Sequence, residues 1–412
     1  MPPTSFPKQQ IRVLLLENVH QTAHEIFGGE GFQVEALTSS LPPAELRKRL
    51  ADVHILGIRS KTQVPAEALV DANRLLVLGC FCIGTNQVDL DGSNRRGIPV
   101  FNAPFSNTRS VAEMMISEII ALSRQLGDRS REMHEGRWRK VATNCYEVRG
   151  KTLGIVGYGH IGRQLGVIAE SLGMRVVFHD HVSKLPMGNN VSMHTLDELL
   201  SQADFVSLHV PETPQTRNLI GAAELSRMKK GSYLLNASRG TVVVIPALAA
   251  AIKNGHLGGA ALDVYPEEPE SNVDGWKTEL QGLPNVILTP HIGGSTSEAQ
   301  AAIGREVAAS LTKFVNTGAT TGSVNFPTIE LAAPVPPTKN THRILNVHRN
   351  VPGVLRDINK IVSDLDANIQ SQVLSTDANI GYLIMDIEND VSKDVYERVA
   401  ALETNIRTRI LY

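Results

Sequence analysis

A glycine-rich turn lies between an apolar run and a helical run near the middle of the chain. Leu153 to Val156 predicts a strand, and it leads directly into Gly157-Tyr158-Gly159-His160-Ile161-Gly162. The helical pattern Arg163 to Leu172 follows at once. The glycines permit a tight turn and a close approach of phosphate to the helix N-terminus, where free N–H groups favour an anion. The pattern predicts a dinucleotide-binding unit; the alternative is a glycine-rich turn without a ligand.

An acidic residue stands where such a unit needs one. Asp180 lies 18 residues after Gly162, just beyond the next predicted strand. A carboxylate there accepts hydrogen bonds from the adenosine ribose and repels a 2′-phosphate, so it favours NAD over NADP. His179, His181 and Lys184 lie beside it and act in the opposite direction, because a cation accommodates that phosphate. The predicted cofactor is NAD.

Short apolar runs alternate with amphipathic stretches along most of the chain, which is typical of parallel α/β domains. Between the first domain and the glycine-rich unit we expect one unbroken helix, Val111 to about Glu135, since no proline interrupts it. The strands predicted before it are Val13–Leu16, Val53–Ile58, Leu75–Leu78 and Pro99–Phe101. Six later strands match a full dinucleotide-binding sheet: Leu153–Val156, Arg175–His179, Phe205–Leu208, Tyr233–Asn236, Gly259–Leu262 and Val286–Leu288.

The C-terminal part has a different order of elements. A helix is predicted from Ser295 to Phe314, and prolines then mark an extended linker at 327, 334, 336 and 337. The remaining pattern is βαββαβ, the ferredoxin-like split unit, with elements at Arg343–His348, Gly353–Leu365, Asn368–Ser375, Ile380–Glu388, Val391–Leu402 and Ile406–Leu411.

Charge and composition exclude several classes of partner. The 412 residues include 40 Lys and Arg against 42 Asp and Glu, so no basic field attracts nucleic acid or anionic lipid. The sequence contains no run of ~18 apolar residues, so we expect neither a membrane span nor a secretory leader. Cys80, Cys82 and Cys145 are too few for a zinc site, so reduced thiols and no metal are expected. We expect a cytoplasmic globular protein.

Residues suited to acid–base and anion chemistry follow three of the predicted strands, Tyr233–Asn236, Gly259–Leu262 and Val286–Leu288. Imidazole has the pKa needed to accept a hydroxyl proton near neutral pH, which makes His291 the candidate base. Glu268 can orient the ring and stabilise its protonated form. Arg239 can grip a carboxylate and polarise an oxo group. Taken singly, each has a plainer alternative: a helix-capping His, a solvated Glu and a surface salt-bridging Arg.

Four ordered motifs resemble the D-isomer-specific 2-hydroxyacid dehydrogenase family: the glycine-rich unit, Asn236-Ala237-Ser238-Arg239-Gly240, Asp263-Val264-Tyr265-Pro266-Glu267-Glu268-Pro269 and Thr289-Pro290-His291-Ile292-Gly293-Gly294-Ser295. The resemblance implies hydride transfer between NAD and a 2-hydroxy acid, with Arg239, Glu268 and His291 as catalytic residues. It implies cofactor contacts at Gly157, Gly159, His160, Ile161, Gly162, Asp180, Ala237, Ser238, Arg239, Asp263, His291, Gly293 and Gly294. Asp263 is expected to take the nicotinamide carboxamide.

The family arrangement also implies domain boundaries. Residues 7–107 and 296–330 are expected to form a discontinuous substrate-binding lobe, and residues 108–295 the NAD-binding domain. Residues 331–338 would then be a linker, and residues 339–412 a C-terminal module. The expected fold class is α/β, with two Rossmann-like or flavodoxin-like lobes and a ferredoxin-like ACT domain.

Three segments of the substrate-binding lobe, residues 57–62, 79–86 and 102–110, resemble those of the bacterial members of this family that oxidise D-3-phosphoglycerate, the first step of the phosphorylated route to serine. A dianionic phosphate needs several donors, and Arg59, Ser60, Lys61 and Asn107 come from loops that follow strands. A second basic cluster, Arg137, Arg139 and Lys140 around Trp138, is expected to reach the phosphate from the same or a neighbouring subunit. The alternative for both clusters is a solvated surface.

The βαββαβ unit resembles an ACT domain, a module that binds amino acids between paired copies. The resemblance implies L-serine as a feedback inhibitor, held by His348, Asn350 and Asn368, and a homotetramer built from two kinds of two-fold contact. The alternative is a module for dimerisation only. Asp366 occupies a turn position where this module usually has glycine, which leaves effector affinity and identity, serine or glycine, open.

The sequence is compatible with two other functions. The same chemistry fits another D-2-hydroxy acid, for example 2-hydroxyglutarate, with side reduction of 2-oxoglutarate. A regulator that senses NAD or an amino acid without turnover is disfavoured by the intact Arg239, Glu268 and His291 set.

Overall fold

The computed structural model describes residues 6–269, 273–332, 341–388 and 390–411. The chain divides into two compact units, residues 1–106 with 300–412, and residues 107–299. Most of the predicted linker, residues 333–338, lies outside the described residues. Within the described ranges, no helix combines the length and apolarity that a membrane crossing requires.

The first unit opens with a parallel sheet of five strands in the order β2-β1-β3-β4-β5, the flavodoxin-like order. Strand β2 was not predicted, because it lies at the edge of the sheet and most of its side chains are exposed. The elements are β1 Arg12–Leu15, α1 Gln21–Gly29, β2 Gln33–Ala36, α2 Pro43–Leu50, β3 Ile55–Ile58, β4 Val77–Cys80, α3 Leu90–Arg95 and β5 Val100–Phe101.

Two helices follow where one was predicted. They are α4 Thr108–Arg124 and α5 Leu126–His134. Gln125 between them is left-handed, with φ 52°, and its side-chain amide donates to the carbonyls of Thr143 and Asn144 at 3.0 and 3.2 Å. The unbroken helix was therefore wrong, because bonds to a distant segment hold a break that no proline marks.

The second unit contains a parallel sheet of seven strands in the order β12-β11-β10-β9-β6-β7-β8. All six predicted strands are present, and β8 is an additional two-residue edge strand with both residues exposed. The elements are β6 Thr152–Val156, α6 His160–Ser171, β7 Arg175–His179, β8 Val191–Ser192, α7 Leu196–Gln202, β9 Phe205–Leu208, α8 Ala222–Arg227, β10 Tyr233–Asn236, α9 Ile245–Lys253, β11 Gly259–Leu262 and β12 Val286–Leu288. Because the strands are parallel, the loops after β6, β7, β10, β11 and β12 leave from one edge of the sheet.

Helix α10, Ser297–Thr317, leads to the C-terminal module, which has the predicted βαββαβ order. Its antiparallel sheet has the order β14-β15-β13-β16, and α11 and α12 pack on one face through Ile358 and Val395. The elements are β13 Thr341–Arg349, α11 Val354–Asp364, β14 Ile369–Thr376, β15 Ile380–Glu388, α12 Ser392–Ala400 and β16 Asn405–Leu411. The predicted fold class is confirmed.

The other face of this sheet shares a core with the rest of the first unit. Leu345, Val347 and Tyr382 belong to the same buried cluster as Phe101 and Phe314. The Tyr382 hydroxyl also donates to the carbonyl of Gly318 at 2.6 Å. The module and the five-stranded sheet are therefore joined by packing as well as by the chain.

Arg343 on β13 is the most heavily bonded cation at this junction. Its Nε and Nη2 donate to the two carboxylate oxygens of Asp386 at 2.7 and 2.9 Å. Nη1 donates to the carbonyls of Thr317 and Leu331, and Nη2 also donates to the carbonyl of Ala332. All five N–H groups of the guanidinium therefore have acceptors. Arg343 and Asp386 are 7 % and 3 % exposed, so this charge pair is desolvated and depends on complete pairing.

We expect Arg343→Met to destabilise the protein by about 3–5 kcal/mol, because Asp386 would remain as a buried charge without its partner. The matched control is Arg356→Met, which removes an exposed arginine paired with Asp357 and is expected to cost about 1 kcal/mol or less. Urea unfolding followed by fluorescence and circular dichroism measures both variants. Equal losses in the two variants would contradict the assignment.

Candidate active site

His291 and Glu268 meet at the edge of the seven-stranded sheet. Nδ1 of His291 lies 2.7 Å from Oε2 of Glu268, and Oε1 of Glu268 accepts the N–H of Tyr265 at 3.0 Å. Burial alone raises the pKa of Glu268, but the hydrogen bond and charge of His291, the Tyr265 N–H and the charge of Arg239 together lower it. Because an ionised carboxylate only accepts hydrogen bonds, Nδ1 carries the proton and Nε2 is the basic nitrogen.

Glu268 also shifts the pKa of His291, the candidate base. The hydrogen bond to Glu268 raises the pKa of His291, partial burial lowers it, and the charges of Glu268 and Asp263 raise it further. The net shift is upward, toward the pH at which a general base works best. His291 also has a left-handed backbone, with φ 55°, a conformation of non-glycine residues that concentrates at functional sites.

Asp263 holds the loop that carries His291. Its Oδ1 accepts the Thr289 hydroxyl at 2.6 Å and the Ile292 N–H at 2.8 Å, and its Oδ2 accepts the Gly293 N–H at 2.8 Å. The carboxylate is almost fully buried, at 1 % exposure. The sequence predicts a cofactor contact for Asp263 but not this anchoring, because the partners of Asp263 lie 26 to 30 residues further along the chain.

Arg239 lies at the end of the segment after β10. Its Nη1 donates to the Ser238 carbonyl at 2.7 Å, and its own carbonyl accepts the Asn236 side-chain amide at 3.0 Å. A side chain at Gly240 would lie 1.9 Å from the Tyr265 backbone, so this segment packs directly on the one that carries Glu268. The Arg239 charge lowers the pKa of both Glu268 and His291, which places the three predicted catalytic groups in one electrostatic environment.

The glycine-rich turn has the geometry of a dinucleotide site. Gly157 has φ 91°, and a Cβ there would lie 2.4 Å from the His209 carbonyl oxygen. A Cβ at Gly162 would lie 2.4 Å from the Gly157 carbonyl oxygen, so both positions require glycine. Asp180 follows β7, accepts the Tyr158 N–H at 2.8 Å and thereby fixes the turn against the next strand. The residues present fit a dinucleotide whose pyrophosphate faces the N-terminus of α6.

The other predicted cofactor residues lie at the same sheet edge. They occupy the start of α6 and the ends of the segments after β10 and β12: Gly159, His160, Ile161, Ala237, Ser238, Gly293 and Gly294. Ser238 is fixed by two hydrogen bonds to Oδ1 of Asn236, from its N–H at 3.0 Å and its hydroxyl at 2.8 Å. His181 also lies here, with Nδ1 3.1 Å from Oδ1 of Asp180.

The predicted substrate residues fall in both units. Arg59, Ser60 and Lys61 form one loop after β3 in the first unit, where Ser60 and Lys61 are exposed. Asn107 belongs to the second unit, and a side chain at Gly294 would lie 2.7 Å from its Nδ2. Lys140 is exposed in the segment after α5, where it lines a cavity with Arg124, Arg129, Arg137 and Arg139.

The predicted effector residues lie at one end of β13 and before β14. His348 is buried, and its Nδ1 lies 2.8 Å from Oδ1 of Asn346, while burial lowers its pKa. Asn350 donates to the Asp377 carbonyl at 2.6 Å, and Asn368 is exposed. Asp366 has φ 53°, so it adopts the conformation for which this turn usually has glycine.

Comparison with known proteins decides the family. A protein-family model described as D-isomer specific 2-hydroxyacid dehydrogenase, NAD binding domain, matches residues 116–293, and one described as AHAS small subunit-like ACT domain matches residues 344–407. A D-3-phosphoglycerate dehydrogenase from Dictyostelium discoideum is 57 % identical over 411 residues, covering 100 % of both chains. The chain belongs to the D-isomer-specific 2-hydroxyacid dehydrogenase family. Its cofactor is NAD.

Other members of the family agree with this assignment. The D-3-phosphoglycerate dehydrogenase of Escherichia coli K12 is 48 % identical over 415 residues, covering 100 % of both chains. Among similar solved structures, a D-lactate dehydrogenase from Aquifex aeolicus, complexed with NAD and lactic acid, has a TM-score of 0.66 and 28 % identity. The match covers 77 % of this chain and 100 % of that one.

Proposed function

We propose that the protein oxidises D-3-phosphoglycerate to 3-phosphooxypyruvate with NAD, the first step of the phosphorylated route to serine. The observation that carries the reaction type is the 2.7 Å contact between Nδ1 of His291 and Oε2 of Glu268, with the charge of Arg239 near enough to lower the pKa of both groups. The substrate is supported by relatives named D-3-phosphoglycerate dehydrogenase, which are 48–57 % identical over the whole chain. The basic loop at Arg59 and Lys61 suits a phosphate.

In the proposed mechanism, Nε2 of His291 accepts the proton of the substrate's 2-hydroxyl group. The resulting imidazolium is stabilised by Glu268 through Nδ1. Bound NAD supplies the acceptor for the hydride that leaves C2. Arg239 binds the substrate carboxylate and stabilises the negative charge that builds on the 2-oxygen. In the direction of reduction, the same imidazolium returns its proton to that oxygen.

The predicted domain boundaries give the proposed division of roles. Residues 7–107 and 296–330 form the substrate-binding lobe, whose residues Arg59, Ser60, Lys61 and Asn107 bind the phosphate together with Lys140. Residues 108–295 bind NAD. Residues 339–412, joined by the linker 331–338, bind L-serine through His348, Asn350 and Asn368. Pairs of catalytic units and pairs of these modules form a homotetramer in the cytoplasm, and serine inhibits by biasing the domain arrangement.

A side reduction of 2-oxoglutarate to 2-hydroxyglutarate uses the same groups. The second carboxylate of 2-oxoglutarate can pair with the cations of Arg59 and Lys61, which makes it the second substrate of interest. Its smaller charge offers fewer acceptors than a phosphate, so a lower catalytic efficiency is expected.

The purified protein is expected to produce NADH from D-3-phosphoglycerate and NAD when the keto acid is trapped, and to do so more slowly when L-serine is present. NADH absorbance measures both rates, with 2-hydroxyglutarate and D-lactate as comparison substrates. Absence of NADH from D-3-phosphoglycerate would refute the substrate. An unchanged rate with serine would refute the feedback while leaving the reaction intact.

A further inference from the structure

A buried carboxylate lies beneath the loop that carries the predicted phosphate ligands. Glu17 follows β1, is 7 % exposed and has a left-handed backbone with φ 64°. Its Oε1 accepts the N–H of Thr62 at 2.8 Å and of Arg59 at 3.2 Å, and its Oε2 accepts the N–H of Lys61 at 2.9 Å. Three of the four amides of the 59–62 loop therefore converge on one side chain.

The side chain of Gln87 also holds this loop, through the backbone carbonyl of Arg59. Nε2 of Gln87, a buried residue at 4 % exposure, donates to the Arg59 carbonyl at 2.7 Å. The loop thus curls around Glu17 with its N–H groups directed inward, while Ser60 and Lys61 remain exposed. Successive backbone N–H groups often bind the anion of a ligand. In this loop they bind the carboxylate of Glu17 instead.

We infer that Glu17 is a positioning residue for substrate: it fixes the 59–62 loop in the one conformation that presents Arg59, Ser60 and Lys61 to the phosphate. The inference rests on the proposed function, since it takes phosphoglycerate as the ligand of that loop. Glu17 itself does not contact the substrate in this assignment, because its carboxylate is committed to the loop's amides.

Electrostatics and geometry predict opposite effects for this carboxylate. A negative charge beneath a pair of cations opposes their attraction for a dianion, so charge alone would make substrate bind more tightly after its removal. Positioning predicts the reverse, since the amide of glutamine cannot accept three N–H groups and its NH2 would face a donor. The sign of the change in KM therefore separates a positioning role from a purely electrostatic one.

The test is Glu17→Gln in the full-length protein. We expect the KM for D-3-phosphoglycerate to rise about ten- to a hundredfold, the loss associated with a hydrogen bond to a charged group. We expect kcat to stay within about threefold, because binding lost equally from ground and transition states changes KM alone. The KM for NAD should not change. Glu30→Gln is the matched control, since Glu30 is paired with Lys8 elsewhere in the same unit.

Glu17→Asp keeps the charge on a shorter side chain and is expected to give an intermediate KM; it replaces Glu17→Gln if that variant does not fold. A folded variant with an unchanged or lower KM would overturn the inference, and so would unfolding of both variants. If the wild-type protein forms no NADH from D-3-phosphoglycerate, the proposed function fails separately. The loop is then tested by calorimetric titration of inorganic phosphate: weaker binding by Glu17→Gln supports positioning, and equal or tighter binding overturns it.

Discussion

Replacing His291 with alanine is expected to lower kcat for hydroxy-acid oxidation about 10²- to 10⁴-fold, the usual contribution of a general base. The affinity for NADH should change by less than about threefold, under 1 kcal/mol, because the glycine-rich turn, Asp180 and the other predicted cofactor contacts besides His291 are untouched. Stopped-flow turnover and NADH fluorescence titration measure the two quantities. Retention of the full rate would remove His291 from the mechanism.

Glu268→Gln tests how the base is adjusted. The hydrogen bond to the wild-type Glu268 carboxylate is the largest influence on the pKa of His291 and raises it. Removal of the carboxylate charge should therefore lower the pKa of His291. Oxidation requires neutral imidazole, so its rate falls as pH drops through the pKa of His291. The acid limb of kcat/KM should therefore move to lower pH in Glu268→Gln, and the alkaline limb for keto-acid reduction should move the same way.

The control for this shift addresses the substrate's own ionisation. A phosphate monoester titrates near pH 6, so it contributes to the acid limb of every variant alike. Only the difference between variants reports on His291. Glu267→Gln removes the neighbouring carboxylate, which takes no part in the His291 contact, and its profile should superpose on the wild type. An unmoved limb in Glu268→Gln would exclude Glu268 as the partner that sets the pKa.

Sequence patterns identified the strands that carry apolar runs; in the second unit these strands are mostly buried, and β12 is half-buried. The six predicted strands of the second unit are present because their apolar runs are the signal that patterning detects. Strands β2 and β8 lie at sheet edges with largely exposed residues, so they carry no such signal. The break at Gln125 depends on carbonyls of Thr143 and Asn144, which local propensity does not include.

In the candidate site, the catalytic residues were predicted from the sequence, but the residues that hold their loops were not. Arg239, Glu268 and His291 were predicted because each residue type suits a step of the chemistry and each follows a predicted strand. The anchoring of the His291 loop by Asp263 and of the 59–62 loop by Glu17 was not predicted. Both depend on a buried carboxylate accepting backbone N–H groups from distant segments, and the amides that supply them leave no trace in the sequence.

Replacement of Arg239 is also expected to reduce activity strongly, but with a pH shift opposite to that of Glu268→Gln. We expect Arg239→Ala to lower kcat/KM at least about 10²- to 10³-fold, the typical loss when a donor to the developing oxyanion is removed. The Arg239 charge opposes the effect of Glu268 on the pKa of His291, so its removal should raise that pKa. The acid limb for oxidation should then move to higher pH, opposite to the shift in Glu268→Gln.

Arg239→Lys separates charge from geometry. Lysine keeps the positive charge, so the acid limb should stay near its wild-type position, but it cannot bind a carboxylate through two parallel N–H groups. A large loss of kcat/KM without a shift in the limb is therefore expected for Arg239→Lys, and a loss with a shift for Arg239→Ala. If both variants shifted the limb equally, the pKa change would come from rearrangement of the loop after β10 and not from the guanidinium charge.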